Sequence, residues 1–120
     1  MATNRTTLTM FAGETKSVRA VVTDNGAPVD LSSGYNVDLH VVRGDDPSAL
    51  IIDKSTGASG DDVIDVASEG ASGVAIASLV VADTEDLAPG DYLAQWRVEE
   101  VSTGAVKIQQ FTLRVSRGLH

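Results

Sequence analysis

Asp38 and His40 stand two residues apart in NVDLHVVR, a spacing that puts both side chains on one face of a strand. A carboxylate beside an imidazole is half of a proton-transfer device. The chain offers neither a nucleophile nor a second base to complete it, so the pair reads as an exposed surface contact. Three acidic clusters, Asp45-Asp46, Asp61-Asp62-Asp65 and Asp83-Glu85-Asp86, carry the hard oxygen ligands that calcium favours. None has the alternating carboxylates and central glycine of an EF-hand loop, so solvated loop charge is the expectation and no metal is assigned. The glycines around EGASG, Glu69 to Gly73, lead into a strand and have no adjacent lysine, which excludes a phosphate cradle. Tyr92 and Trp96 could stack on a sugar ring if they were exposed; both fall on the apolar phase of their strand and are expected in the core. His120 is a single imidazole at the end of the sequence and makes no site. With no cysteine, a disulfide framework, a thiolate zinc site and a cysteine nucleophile are all excluded. The sequence therefore reads as a non-enzyme without a cofactor.

Charge narrows the partners. The net charge is −8, which disfavours free nucleic acid and anionic membrane as partners of the whole surface. Its distribution is uneven: residues 1–23 carry +2, residues 24–91 carry −12, and residues 92–120 carry +2. If the first and last strands lie together, the molecule has a basic edge and an acidic remainder, a pattern suited to packing beside copies of itself or on an oppositely charged protein. Arg5, Arg19, Arg114 and Arg117 are the candidate contributors to that edge. The opening MATNRTTLTM is polar and has no apolar stretch of signal-peptide type, so neither Sec export nor a membrane span is expected.

The elements that must position these residues are strands. A chain of 120 residues is most simply one domain, 1–120, and with aromatics at only 4% its core must be built from Val, Ile, Leu and Ala. Alternation of period two recurs along it. Leu8 and Met10 share one side, as do Val18, Ala20 and Val22, then Val37, Leu39 and Val41, then Tyr92, Ala94, Trp96 and Val98. Asn25-Gly26 and Ser102-Thr103-Gly104 are turn signals. In GVAIASLVV the apolar phase moves from Val74 and Ile76 to Leu79 and Val81, which predicts a bulge at Ala77-Ser78; a second is predicted at Gln109-Gln110, before Phe111, Leu113 and Val115. ADTEDLAPG reads as one helical turn capped by Asp83 and stopped by Pro89-Gly90. Residues 55–73 read as a mobile acidic loop around a short strand containing Ile64 and Val66. Seven to eight short strands without a long helix predict an all-β antiparallel sandwich. On the outward phase of the Tyr92–Val98 strand lie Leu93, Gln95, Arg97 and Glu99, and the first three are candidate subunit contacts.

LAPGDY, Leu87 to Tyr92, resembles the tyrosine-corner approach to the penultimate strand of immunoglobulin-like sandwiches. A wider pattern spans about residues 8–115: Gly13, Glu14 and Thr15; then Gly26, Pro28, Val29, Asp30 and Leu31; then Asp83, Thr84, Leu87, Gly90 and Tyr92. In order and spacing these are similar to the immunoglobulin-like domain at the N-terminus of tailed-phage baseplate upper proteins and related virion proteins. That resemblance implies an immunoglobulin-like fold, a virion location after synthesis in the host cytoplasm, and other capsid, tail or baseplate proteins as partners. Members of the family continue into a longer fibre or receptor-binding region, whereas this sequence ends at His120, so the expectation is a small accessory subunit: a head decoration or cement protein, or a tail or baseplate adaptor. Symmetric homo-oligomerisation on the particle, threefold included, is also expected. A carbohydrate- or host-surface-binding module is the alternative, and it requires exposed aromatics.

Overall fold

Each run of period-two alternation forms a strand, and the strands stack as two layers with the alternating apolar residues between them. The computed structural model describes residues 6–43, 46–85 and 87–116. Its elements are β1 (Thr6–Phe11), β2 (Lys16–Val21), β3 (Thr23–Asp24), β4 (Ala27–Pro28), β5 (Tyr35–Arg43), β6 (Asp46–Ser55), β7 (Val74–Leu79), the single turn α1 (Val81–Thr84), β8 (Gly90–Glu100) and β9 (Val106–Ser116). One sheet has five strands in the order β1-β9-β8-β5-β6; β2 and β7 form the second layer, and β3 and β4 a small clip. Asn25 and Gly26 at the tip of that clip have φ of 53° and 81°, the left-handed pair that a two-residue hairpin turn requires. The core draws Val37, Leu39 and Val41 from β5, Ala94, Trp96 and Val98 from β8, Leu113 and Val115 from β9, and Val18, Ala20, Ala75, Ala77 and Leu79 from the small sheet. This is an all-β sandwich.

Three features differ from the sequence reading. The pairing of the first and last strands is parallel, in register from Thr6 opposite Phe111 to Phe11 opposite Ser116. After β1 the chain turns at Gly13 and crosses to the other layer, so β1 and β9 meet without a hairpin between them. The matched apolar pairs Leu8–Leu113 and Met10–Val115 set their register. Secondly, neither expected bulge exists. The β2–β7 ladder is continuous from Lys16–Leu79 to Val21–Val74, and β8–β9 is continuous through Gln109 and Gln110. In β7 the inward set is Ala75, Ala77 and Leu79, while the Ile76 side chain lies on the outer side and its backbone bridges to Asp65 along the free edge of the strand. In β9 the polar Gln109 shares the inward phase of Phe111 and reaches the edge of β2 instead of the core. The register shifts lie in β5–β6 instead: Val41 pairs with Ile52 and Val42 with Leu50, leaving Ile51 extra, and Arg43 then pairs with Asp46. Thirdly, residues 55–73 are packed: Ile64 and Gly70 are buried, and Ser55–Val63 and Asp65–Ile76 form isolated bridges.

The motif residues hold these crossings together. The Gly13 amide donates to the Thr84 hydroxyl at 3.0 Å, joining the β1–β2 turn to α1. The helical turn starts and ends earlier than the sequence predicts, at Val81–Thr84, well before Pro89-Gly90, and Asp83, its third residue, accepts the amide of the N-cap residue Val80 at 2.8 Å, which is half of a capping box. The Tyr92 hydroxyl donates to the Ala88 carbonyl at 2.6 Å, closing the tyrosine corner.

Candidate functional site

Strand alternation sends Leu93, Gln95, Arg97 and Glu99 of β8 to the solvent side of the large sheet, and register decides what stands beside each. Across the ladder, Thr112, Leu93, Val42 and Leu50 form one row; Gln110, Gln95, His40 and Asp53 a second; Ile108, Arg97 and Asp38 a third. The first row is the apolar centre, with Leu93 and Val42 half-buried and Leu50 about half exposed. With His40 and Gln95 they line a shallow depression of about 360 Å³. Ile108, 56% exposed, extends the apolar surface on β9.

The polar groups around that centre are satisfied within the chain. Gln110 Nε2 donates to Gln95 Oε1 at 3.0 Å. His40 Nε2 lies 3.1 Å from Asp53 Oδ1. Arg97 lies between Asp38 at 3.7 Å and Glu99 at 3.5 Å. Arg114 grips Asp91 with two bonds, Nε–Oδ1 at 2.8 Å and Nη2–Oδ2 at 3.2 Å. That bidentate bond holds the Asp91 carboxyl below its usual range and pushes the Arg114 guanidinium up. Asp38 and His40 thus face different partners and do not form the carboxylate–imidazole pair. A face with an apolar middle and a rim of self-neutralised charge can be covered without stranding an ion, which is what a protein contact needs.

The structure places Leu93, Gln95, Arg97 and Arg114 together on this face. Arg19 is elsewhere: it lies on β2 of the small sheet, where Nη2 meets Glu69 Oε1 at 2.5 Å. Arg5 and Arg117 fall outside the described residues. β1 and β9 do lie side by side, but Arg114, the one arginine described there, is matched by Asp91. Tyr92 and Trp96 are buried, 9% and 2% exposed, so neither offers a sugar platform; Phe11, 54% exposed, is the one aromatic of that kind among the described residues.

One site escaped the sequence reading. Lys54 is fully buried, yet its Nζ lies 3.0 Å from Asp83 Oδ2 and 3.3 Å from Asp62 Oδ1. Two of the acidic clusters thus turn carboxylates onto a lysine. The signal was phase: Lys54 is two residues after the inward Ile52, opposite the inward Leu39. Among the described residues no group of three or more metal-ligating side chains is gathered, and no helix is long and apolar enough to cross a membrane.

The fold has a solved counterpart. The chain superposes on a structure described as the N-terminal domain of phage TP901-1 ORF48 with a TM-score of 0.52 at 12% identity, over 95% of this chain and 86% of that one. At that identity the likeness is one of fold. No protein-family model and no curated protein matches the chain.

Proposed function

We propose that this chain is a non-catalytic structural subunit of a tailed-phage virion, either a head decoration or cement protein or a tail or baseplate adaptor. It acts through protein–protein contact made by the outer face of its five-stranded sheet. The observation that carries this reading is that face itself: Leu93, Val42 and Leu50 at the centre, with charges paired off around them. The order of the Gly13, Pro28, Asp83 and Tyr92 motifs, similar to virion domains, and the fold likeness to a phage protein's N-terminal domain support the virion setting. Partners are other capsid, tail or baseplate proteins, and copies of this chain arranged by the particle's symmetry.

The test uses particles that lack the subunit, mixed with purified protein and sedimented. Parent protein is expected to co-sediment, and Leu93→Glu to stay in the supernatant while keeping its melting temperature, because Leu93 is on the solvent side of the sheet. Unchanged co-sedimentation of Leu93→Glu and Arg97→Glu would remove this face from the reading. Binding to a glycan array in place of particles would favour the carbohydrate-binding alternative.

A further inference from the structure

The large sheet is five strands wide and the small one two, so one cannot cover the other. On the β6 side the gap is closed: Asp65 exchanges both backbone hydrogen bonds with Ile76, at 2.8 and 3.0 Å, and takes the place beside β7. On the β1–β9 side no described residue does the same. There the inner face of the large sheet presents Leu8 and Phe111, both half-buried. An open slot of about 340 Å³ runs between them and β2, reaching in to Val18 and Trp96.

Among the described residues, no strand pairs with the edge that bounds the slot either. The Val22 amide donates to the Gly73 carbonyl at 2.8 Å, and the ladder is continuous from there. Val18, Ala20 and Val22 therefore turn their backbone groups to β7, and Ser17, Arg19 and Val21 turn theirs outward. Of those outward groups the Val21 carbonyl alone has a partner among the described residues, Gln109 Nε2 at 3.0 Å. The next outward carbonyl, Thr23, is held by Lys107 Nζ at 3.0 Å. The β9 side chains thus occupy one end of the edge and leave the Ser17–Arg19 stretch open.

We propose that this edge receives an extended segment of a partner protein, which adds to β2–β7 as a third strand. Its alternate apolar side chains enter the slot over Leu8, Phe111 and Trp96, and its opposite face bears acidic residues. The charge follows from the flank: Lys16 and Arg19 stand on β2 and Lys107 on β9, with Arg19 shared with Glu69 and Lys107 with Asp24, and the strands bordering the slot belong to the two positive stretches of a chain of net charge −8. A second copy is a poor occupant, because β2 against β2 brings Lys16 and Arg19 towards their own equivalents. This surface is separate from the outer sheet face, and it stands whether or not the virion reading does.

The probe is a short synthetic peptide alternating valine with glutamate, with its valine–lysine counterpart as control. At saturating glutamate peptide, hydrogen exchange at the Ser17, Arg19 and Val21 amides is expected to slow by about tenfold or more, with little change at Val18 and Ala20. Trp96 fluorescence should shift, and raised salt should weaken binding. The lysine peptide should bind at least about tenfold more weakly. Ser17→Pro removes one outward donor without touching the β2–β7 ladder, and it should abolish the protection. If circular dichroism shows that this variant has not folded, Leu8→Thr, on the slot wall, should weaken binding in its stead. Unprotected edge amides with either peptide, equal binding of both peptides, or self-association through the same amides without peptide would each overturn the proposal.

Discussion

Replacing Lys54 with methionine isolates the least expected interaction in the molecule. Methionine keeps most of the buried aliphatic stem and removes the ammonium, so the change reports on the ion pairs more than on packing. Stranding one partner of a fully buried pair costs about 3–5 kcal/mol. Here the cost is reduced, since Asp62 is 60% exposed and returns to water, while Asp83, 15% exposed, keeps its bond from the Val80 amide. A loss of about 2–4 kcal/mol is expected, or about 8–16 °C in melting temperature for a domain of this length. Urea denaturation and scanning calorimetry would measure it. A double-mutant cycle with Asp83→Asn should show coupling, with the double variant less destabilised than the sum of the single changes. The reasoning is refuted if Lys54→Met lies within about 0.5 kcal/mol of the parent and the cycle closes additively, for then the buried cation contributes no more than an apolar side chain there.

Gly73 has φ of +83°, and a Cβ there would stand 2.6 Å from the Val22 carbonyl oxygen, so Gly73→Ala is expected to cost about 2 kcal/mol or more, read as a lower denaturant midpoint. Tyr92→Phe removes the hydroxyl that donates to Ala88 and should cost about 1–2 kcal/mol by the same measurement, without altering the circular dichroism spectrum. Acid should weaken the fold through Asp30, Asp65 and Asp91, whose carboxyls sit below the usual range: Asp30 and Asp65 through hydrogen bonds from Ser32 and Ser68, Asp91 through Arg114. Because the folded state holds these pKa values down, their contribution is present above about pH 4 and fades as pH falls through the folded values. A denaturation midpoint flat from about pH 5 to pH 2 would contradict it.

The Gly13, Asp83–Thr84 and Tyr92 motifs were legible because they are structural parts. Gly13 and Thr84 bond to each other, Asp83 caps α1, and Tyr92 closes its corner. For the same reason they speak to the fold and carry little about a partner. The failures are equally specific. Alanine carries too weak an apolar signal to mark a core face, so the phase of Val74 and Ile76 is the one visible in the sequence of β7, although Ala75, Ala77 and Leu79 are the set that faces the core. Gln109 broke the apolar phase of β9 although the strand runs straight, because at that point the inner face looks past the narrow second sheet.

By itself the sequence determined the strand faces, the turn at Asn25-Gly26, the capped turn at Asp83 and the absence of cysteine chemistry, since each follows from side-chain alternation or from residues a few positions apart. Tertiary structure alone decided which strands are neighbours and which carboxylate each cation finds. Register set Arg114 on Asp91 and Arg97 by Asp38, and the fold of residues 56–85 brought Asp62 and Asp83 to Lys54. It also decided that five strands would face two, leaving the Ser17–Arg19 edge of β2 without a strand partner among the described residues. Local pattern reaches one strand and its turn, whereas pairing, burial of a charge and an uncovered edge depend on chain segments far apart in sequence.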